Sequence, residues 1–422
     1  MEEFQFRQNE LWCEQVNLNH LAAECGTPLY VYSKRSIVDH CRHVERAFGT
    51  IDHLSCYAVK ANANIAVLRL LAGEGIGADA GSIGEMRIAI EAGFSPEKIT
   101  FSGVGKRDDE IEYALKKGIM ALNVESSEEI DVIDAIASRL KSRAKIFLRL
   151  NFDIESGTHP YITTGRKQNK FGIELDSAAE ALRRARSFSN VEVIGIHTHL
   201  GSQITRVDAF IAAATAMVKV IRELRADGMP ISQLNFGGGF GVQYRDYITH
   251  PGLPAEIEHS ESGVTTVKML QAVLPVLAGA NCRILIQPGR SIVAHAGILM
   301  TKVLYIKDTK SKRFVIVDAG MNDLIRPSLY QSYHQIVPLC LKGRPHGVVD
   351  IVGPLCESGD FFALDRMLPA VERSEYLGVL CTGAYGYVLS SNYNGRPRPA
   401  EMLVDGDQFG VIRKPETISD LY

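Results

Sequence analysis

No two cysteines of this chain stand at Cys-x-x-Cys spacing. The eight lie scattered at positions 13, 25, 41, 56, 282, 340, 356 and 381, which argues against a zinc ribbon, a redox dithiol or a disulfide framework. Basic runs are absent too. A net charge of −3 with a pI near 6.5 leaves no electrostatic footprint for nucleic acid or an anionic membrane. No apolar run approaches the roughly 18 residues of a membrane span, and the N-terminus, Met1-Glu-Glu-Phe-Gln-Phe-Arg-Gln-Asn-Glu10, lacks the apolar segment of a signal peptide. Internal repeats, low-complexity tracts and long charge runs are also missing. These absences lead us to expect a cytoplasmic protein that acts on a small molecule, without nucleic-acid or membrane partners.

What is present is ordinary in amount and informative in order. Hydrophobic residues make up 46% and charged residues 23% of 422 positions, a soluble composition on a chain too long for one core, so two domains are expected. A strand-like stretch at 28–32 leads into helical spacing over 33–48, with a serine as cap candidate. Short β-type runs then recur at 54–59, 76–80, 99–102, 120–124, 145–150, 193–198, 233–236 and 283–287, most followed by a segment of helical spacing such as 65–72, 85–92, 109–117 or 127–140. Eight strands alternating with helices predict a (β/α)8 TIM barrel over residues 27–290. A doubly wound open sheet would carry a glycine-rich fingerprint after its first strand, and none is there. From 291 to 422 the rhythm changes to β-rich runs at 298–306, 313–318, 347–352, 376–382 and 401–404. They predict a mainly antiparallel β domain without helices of its own, which residues 1–26 join because a barrel has no slot for them.

In a TIM barrel, chemistry collects at the C-terminal strand ends and phosphate sits on the loops after strands 7 and 8. The first strand, Leu54-Ser-Cys-Tyr-Ala-Val-Lys-Ala-Asn62, ends in Lys60. Two readings stand open there. The lysine marks where the strand surfaces, or its ammonium loses solvation, has its pKa pushed down and reacts with an aldehyde as a Schiff-base amine. The seventh strand runs into Gly237-Gly-Gly-Phe-Gly241 and the eighth into Gln287-Pro-Gly-Arg290. Backbone amides free of Cβ atoms, with a guanidinium beside them, suit an anion. The pair His197-Thr-His199 has no third ligand at a recognisable spacing, and alternate strand residues share a face, so no metal is expected.

A lysine on strand 1 opposite a phosphate cup after strands 7 and 8 makes the two halves of a pyridoxal phosphate site. With these motifs in place, the chain resembles the diaminopimelate decarboxylases, of the alanine-racemase-like (fold type III) group. The resemblance runs in order through Tyr57-Ala-Val-Lys-Ala-Asn62, His197-Thr-His-Leu-Gly-Ser-Gln203, Gly237-Gly-Gly-Phe-Gly241, Pro288-Gly-Arg290, Arg326-Pro-Ser-Leu-Tyr330, Cys356-Glu-Ser-Gly-Asp360, Gly383-Ala-Tyr385 and Ser391-Asn-Tyr-Asn-Gly-Arg-Pro-Arg-Pro399. It implies pyridoxal 5′-phosphate as cofactor and meso-diaminopimelate as the amino-acid substrate. Lys60 would hold the cofactor, His199 stack on its ring, and Ser202 with Gly237, Gly238 and Gly239 bind its phosphate beside Gly289 and Arg290. Arg290, Arg326 and Tyr330 would grip the substrate, Glu357 its distal amino group, and Tyr385 both molecules. Cys356, a catalytic residue with Lys60 and His199, would enter with Glu357 the site of the other subunit of a homodimer with shared active sites.

One position departs from the pattern. The family has Glu-Pro-Gly-Arg at the end of strand 8, where the glutamate faces the pyridine nitrogen; here the residue is Gln287. An amide supplies no charge, and a charge pair at 4 Å is worth at most about 4 kcal/mol at an effective dielectric of 20. Gln287→Glu is therefore expected to raise kcat more than it changes KM. The same departure keeps two other readings open: a related decarboxylase or racemase acting on another amino acid, and a regulatory homologue with weakened chemistry.

Overall fold

Eight parallel strands close on themselves in a unit made of residues 41–242 and 264–291. In chain order they are β1 (His53–Ala58), β2 (Gly77–Ala80), β3 (Ile99–Phe101), β4 (Ala121–Val124), β5 (Ala144–Asn151), β6 (Val191–His197), β7 (Gln233–Asn235) and β8 (Arg283–Ile286). The computed structural model describes residues 4–154, 164, 169–254 and 265–422. Closure is direct, because β8 pairs with β1 through Ile284↔His53 and Ile286↔Ser55. All eight strands fall on the runs that the sequence predicts.

Strands covered on both faces read as nearly continuous apolar runs, and Ile284, Leu285 and Ile286 are each fully buried. Leu54, Cys56, Ala121, Phe147, Ile194 and Leu285 form one cluster of the barrel core. On β6 a Cβ at Gly195 would lie 2.7 Å from the Phe147 ring and 2.2 Å from the Gln233 carbonyl oxygen, so only glycine fits. The outer helices start at side-chain caps that take up their orphan amides. Asn64 accepts from Ala66 N ahead of Ile65–Gly73, Ser82 from Glu85 N ahead of Ile83–Ala92, and Ser126 from Glu129 N ahead of Ser127–Arg139.

The other unit gathers residues 1–40, 243–263 and 292–422. Its main sheet runs in the order Phe361–Pro369, His346–Val352, Arg313–Val317, Gly297–Asp308, Leu29–Ser33, Ala400–Asp405 and Gln408–Arg413. Here the structure departs from the expected barrel span of 27–290. Strand Leu29–Ser33 belongs to this sheet, antiparallel to Gly297–Asp308 and parallel to Ala400–Asp405, because its fully buried run needs a partner on each side. The expectation of no helices fails too. Leu18–Cys25 is a helix, capped by Asn17 accepting from His20 N and ended at Gly26, and Arg326–Tyr330 is a short one.

Candidate active site

The barrel wall stops at Ala58, and a single 3-10 turn, Val59–Ala61, carries the chain over the rim. Val59 and Ala61 are buried while Lys60 between them is exposed. The turn lifts Lys60 out of the apolar wall, the surfacing that was one of the two readings its sequence leaves open. Its charge acts on the residues around it, favouring the ionised forms of Asp79 and Glu85 and disfavouring protonation of His199.

The expected anion loops lie together at the ends of β6, β7 and β8. Arg290 is 6% exposed and its Nη2 donates to Ser202 Oγ at 2.8 Å, so guanidinium and hydroxyl face one spot. Gly238 has no room for a side chain, since a Cβ would sit 2.1 Å from the Gln287 carbonyl oxygen; Gly239 has φ +97°. Gly289 is held against Ala58 and Ala61, where a Cβ would come within 3.0 Å of each. The three amides of the glycine run are not equivalent. Gly237 N–H donates to Asn235 Oδ1 and Gly238 N–H to His199 Nδ1, leaving Gly239 as the amide of the three without a partner among the described residues.

His199 accepts that Gly238 bond on Nδ1, so its proton sits on Nε2. Burial, with the Lys60 and Arg149 charges, drives its pKa well below the usual histidine value. The ring is therefore neutral and presents an uncharged face. Glycine geometry, the Arg290–Ser202 pair and a neutral imidazole fit pyridoxal phosphate on this rim.

Gln287 is 5% exposed and both ends of its amide are engaged. Nε2 donates to Asp79 Oδ1 at 2.8 Å, and Oε1 lies 3.2 Å from His197 Nε2. A carboxylate only accepts, so the amide orientation is forced and His197 must be the Nε2–H tautomer. The same Asp79 oxygen accepts from Thr100 Oγ1 at 2.8 Å and Ser102 Oγ at 2.6 Å, and Ser102 Oγ accepts from Asn123 Nδ2 at 2.8 Å. Burial pushes the Asp79 carboxyl up, against the pull of Lys60 and of the Ser102 and Thr100 hydroxyls. Sequence reasoning missed Asp79. Its available signal was a lone acid inside Gly77-Ala-Asp-Ala80, at the C-terminal end of a barrel strand, where this fold keeps its chemistry. It also missed the buried ion pair of Arg149 on β5 with Glu125.

The remaining candidates belong to the other unit. Arg326 is 4% exposed. It donates from Nη1 to His334 Nε2 at 2.8 Å and lies over the Tyr244 ring at 4.8 Å. Tyr330, at the end of the same short helix, is half-buried. Cys356 and Glu357 are exposed on a loop that Asp360 fastens, its carboxylate accepting from Leu355 N at 2.7 Å and Met321 N at 2.6 Å. Cys356 N donates to Asn394 Oδ1 at 3.0 Å, and Ser328 Oγ donates to Gly359 O. Three of the motifs quoted above are thus tied to one another. Tyr385 sits at φ +56°, a conformation that costs a bulky side chain energy and that clusters at functional positions.

Comparison with known proteins agrees with this geometry. A profile of the pyridoxal-dependent decarboxylase family, pyridoxal binding domain, matches residues 34–294. The diaminopimelate decarboxylase of Aquifex aeolicus is 44% identical over 412 residues, covering 98% of this chain and 94% of that protein. That of Pseudomonas aeruginosa is 43% identical, covering 100% and 98%. Among solved structures, diaminopimelate decarboxylase from Helicobacter pylori complexed with L-lysine superposes with a TM-score of 0.88 at 41% identity, covering 96% of this chain and 98% of that one. The M. jannaschii enzyme, also in complex with L-lysine, gives 0.91 at 34%, covering 99% and 96%. A chain that carries this rim geometry and matches these proteins along its whole length belongs to the pyridoxal-dependent decarboxylases and, within them, to the diaminopimelate decarboxylase family.

Proposed function

We propose that this protein decarboxylates meso-2,6-diaminopimelate to L-lysine, the last step of lysine biosynthesis, with pyridoxal 5′-phosphate held by Lys60. The observation that carries this reading is the rim itself, where Lys60, the Arg290–Ser202 pair and neutral His199 belong to strands that pair into one barrel. When bound, the cofactor supplies the sink for the electron pair left as CO2 departs. Lys60 offers the amine for its aldehyde, and Gly239 N–H, Ser202 and Arg290 offer donors to its phosphate. His199 offers a neutral face, and Gln287 an amide to the ring nitrogen. Arg290, Arg326 and Tyr330 supply cationic and phenolic donors for a substrate with two carboxylates, Glu357 an acceptor for its distal ammonium, and Tyr385 a contact with both molecules. The Cys356 thiol is a weak acid that can deliver the proton the α-carbon takes up.

We read the active form as a homodimer whose sites are shared, supported by the exposure of Cys356 and Glu357 on one fastened loop. The eight cysteines, none of them in a disulfide, fit a reducing cytoplasm, and no helix among the described residues is long and apolar enough to cross a membrane. Incubating the protein and cofactor with meso-diaminopimelate, ornithine and arginine in turn, while measuring CO2, tests the reading. Release from diaminopimelate alone is expected, because the basic amino acids have no distal carboxylate for the arginines. Release from ornithine or arginine instead, or racemisation without CO2, refutes it.

A further inference from the structure

Every hydrogen bond in the polar chain behind Gln287 points the same way. His197 Nε2–H donates to Gln287 Oε1 and Gln287 Nε2–H to Asp79 Oδ1, while from the other side Asn123 donates to Ser102, and Ser102 and Thr100 donate to Asp79. Four strands or strand ends, β6, β8, β3 and β4, thus send their donors toward one carboxylate oxygen on β2. A buried chain polarised in one sense ends on its anion, and each bond in it strengthens the next. His197 contributes no positive charge, since burial, Arg149 and His199 hold its pKa well below normal, and its Nδ1 has no partner among the described residues.

We propose that Asp79 is the positioning residue that makes Gln287 serve where the family has glutamate: its carboxylate fixes Nε2, turns the amide oxygen away from itself, and supplies at one remove the negative charge that residue 287 lacks. The proposal rests on the reading that residue 287 faces the pyridine nitrogen. An sp2 oxygen accepts two hydrogen bonds. Gln287 Oε1 takes one from His197, and the second lone pair suits a protonated ring nitrogen. Polarised by the Asp79 charge on its other end, the amide oxygen carries more negative charge than a free amide and favours that protonated ring. Burial works against the ionised form of Asp79, as does Glu85, while Lys60, the Ser102 and Thr100 hydroxyls and Arg149 favour it.

The test is charge relocation, read on cofactor labelled with 15N at the pyridine nitrogen. In Asp79→Asn the residue keeps its size and loses its charge. The 15N shift of the bound cofactor should move toward the unprotonated ring, and kcat should fall about tenfold to a hundredfold, the range for losing a charge-assisted hydrogen bond. In the double variant Asp79→Asn with Gln287→Glu, the amide introduced at position 79 donates to the carboxylate introduced at position 287, and both shift and kcat should return toward wild type. An unmoved 15N shift in Asp79→Asn overturns the proposal, and so does a double variant no better than the single. If Asp79→Asn fails to fold, the double variant decides alone: a wild-type-like 15N shift supports charge relocation, and an unprotonated ring or a second failure to fold overturns it. Gln287→Met separates the underlying reading. If removing the amide leaves the shift unchanged, residue 287 does not face the nitrogen and both fall; if it moves the shift while Asp79→Asn does not, only the role of Asp79 falls.

Discussion

Lys60 stands exposed between two buried neighbours on a turn of three residues, so little besides its charge binds it to the rim. Replacing it should leave the fold intact and remove the amine that anchors the cofactor. We expect Lys60→Ala to melt within a degree or two of wild type and to lose at least about a thousandfold in kcat. Borohydride reduction followed by peptide mapping should place the pyridoxyl label of the wild-type protein on Lys60; a label on another lysine counts against the assignment. At this scale the sequence is legible where a residue belongs to a motif: Ser202 and Arg290 meet, and Gly238 donates to His199. It is silent where a side chain's partner lies far along the chain. Asp79 and Gln287 are 208 positions apart, and nothing in either local sequence announces the other.

Elements were legible where their signal is local. The eight barrel strands announce themselves by apolar runs and the outer helices by their helical spacing, but which sheet a strand joins is decided by distant partners. Leu29–Ser33 reads as the opening of the barrel and yet pairs with strands at 297–308 and 400–405. The helix Leu18–Cys25 was overlooked because eight residues offer barely two turns of periodicity. The loop that carries Cys356 and Glu357 draws its shape from Asp360, which holds the Leu355 and Met321 amides. Asp360→Ala should release it, raising KM for diaminopimelate about tenfold or more as buried amides lose their acceptor. Cofactor content, measured by absorbance, should stay at the wild-type level, because the residues proposed to hold its aldehyde, ring face and phosphate lie in the barrel. A fall in cofactor content with unchanged KM would show that the loop acts elsewhere.

For the molecule as a whole, one prediction concerns assembly and another pH. If sites are shared, an inactive Lys60→Ala chain mixed with an inactive Glu357→Ala chain should regain roughly a quarter of wild-type activity after subunit exchange, since half of random dimers are hybrids with one intact site. No recovery after confirmed exchange rules out sharing. Asp323 sets a pH dependence of stability. Burial pushes its carboxyl up to about 7, so the folded chain keeps a proton that the unfolded chain releases near 4. Its contribution is fully present below about pH 4 and is lost as pH rises through 7. The stability of wild type relative to Asp323→Asn should therefore decline from pH 4 to pH 8, by on the order of 4 kcal/mol at most; a difference that stays flat in denaturant titrations contradicts a raised pKa.

The seam where the barrel closes has a consequence for how the protein is made. β1 and β8 meet along Ile284↔His53, and just past the strand ends Ala58 N donates to Pro288 O at 3.0 Å, so the lysine and the loop that ends in Arg290 come from opposite ends of the barrel. A ribosome synthesises Lys60 early and Arg290 only after the other six strands have emerged. On the roles proposed above, a nascent chain therefore carries Lys60 long before the loop that would hold the cofactor's phosphate is made, and a chain that stalls before residue 283 has the lysine without that loop.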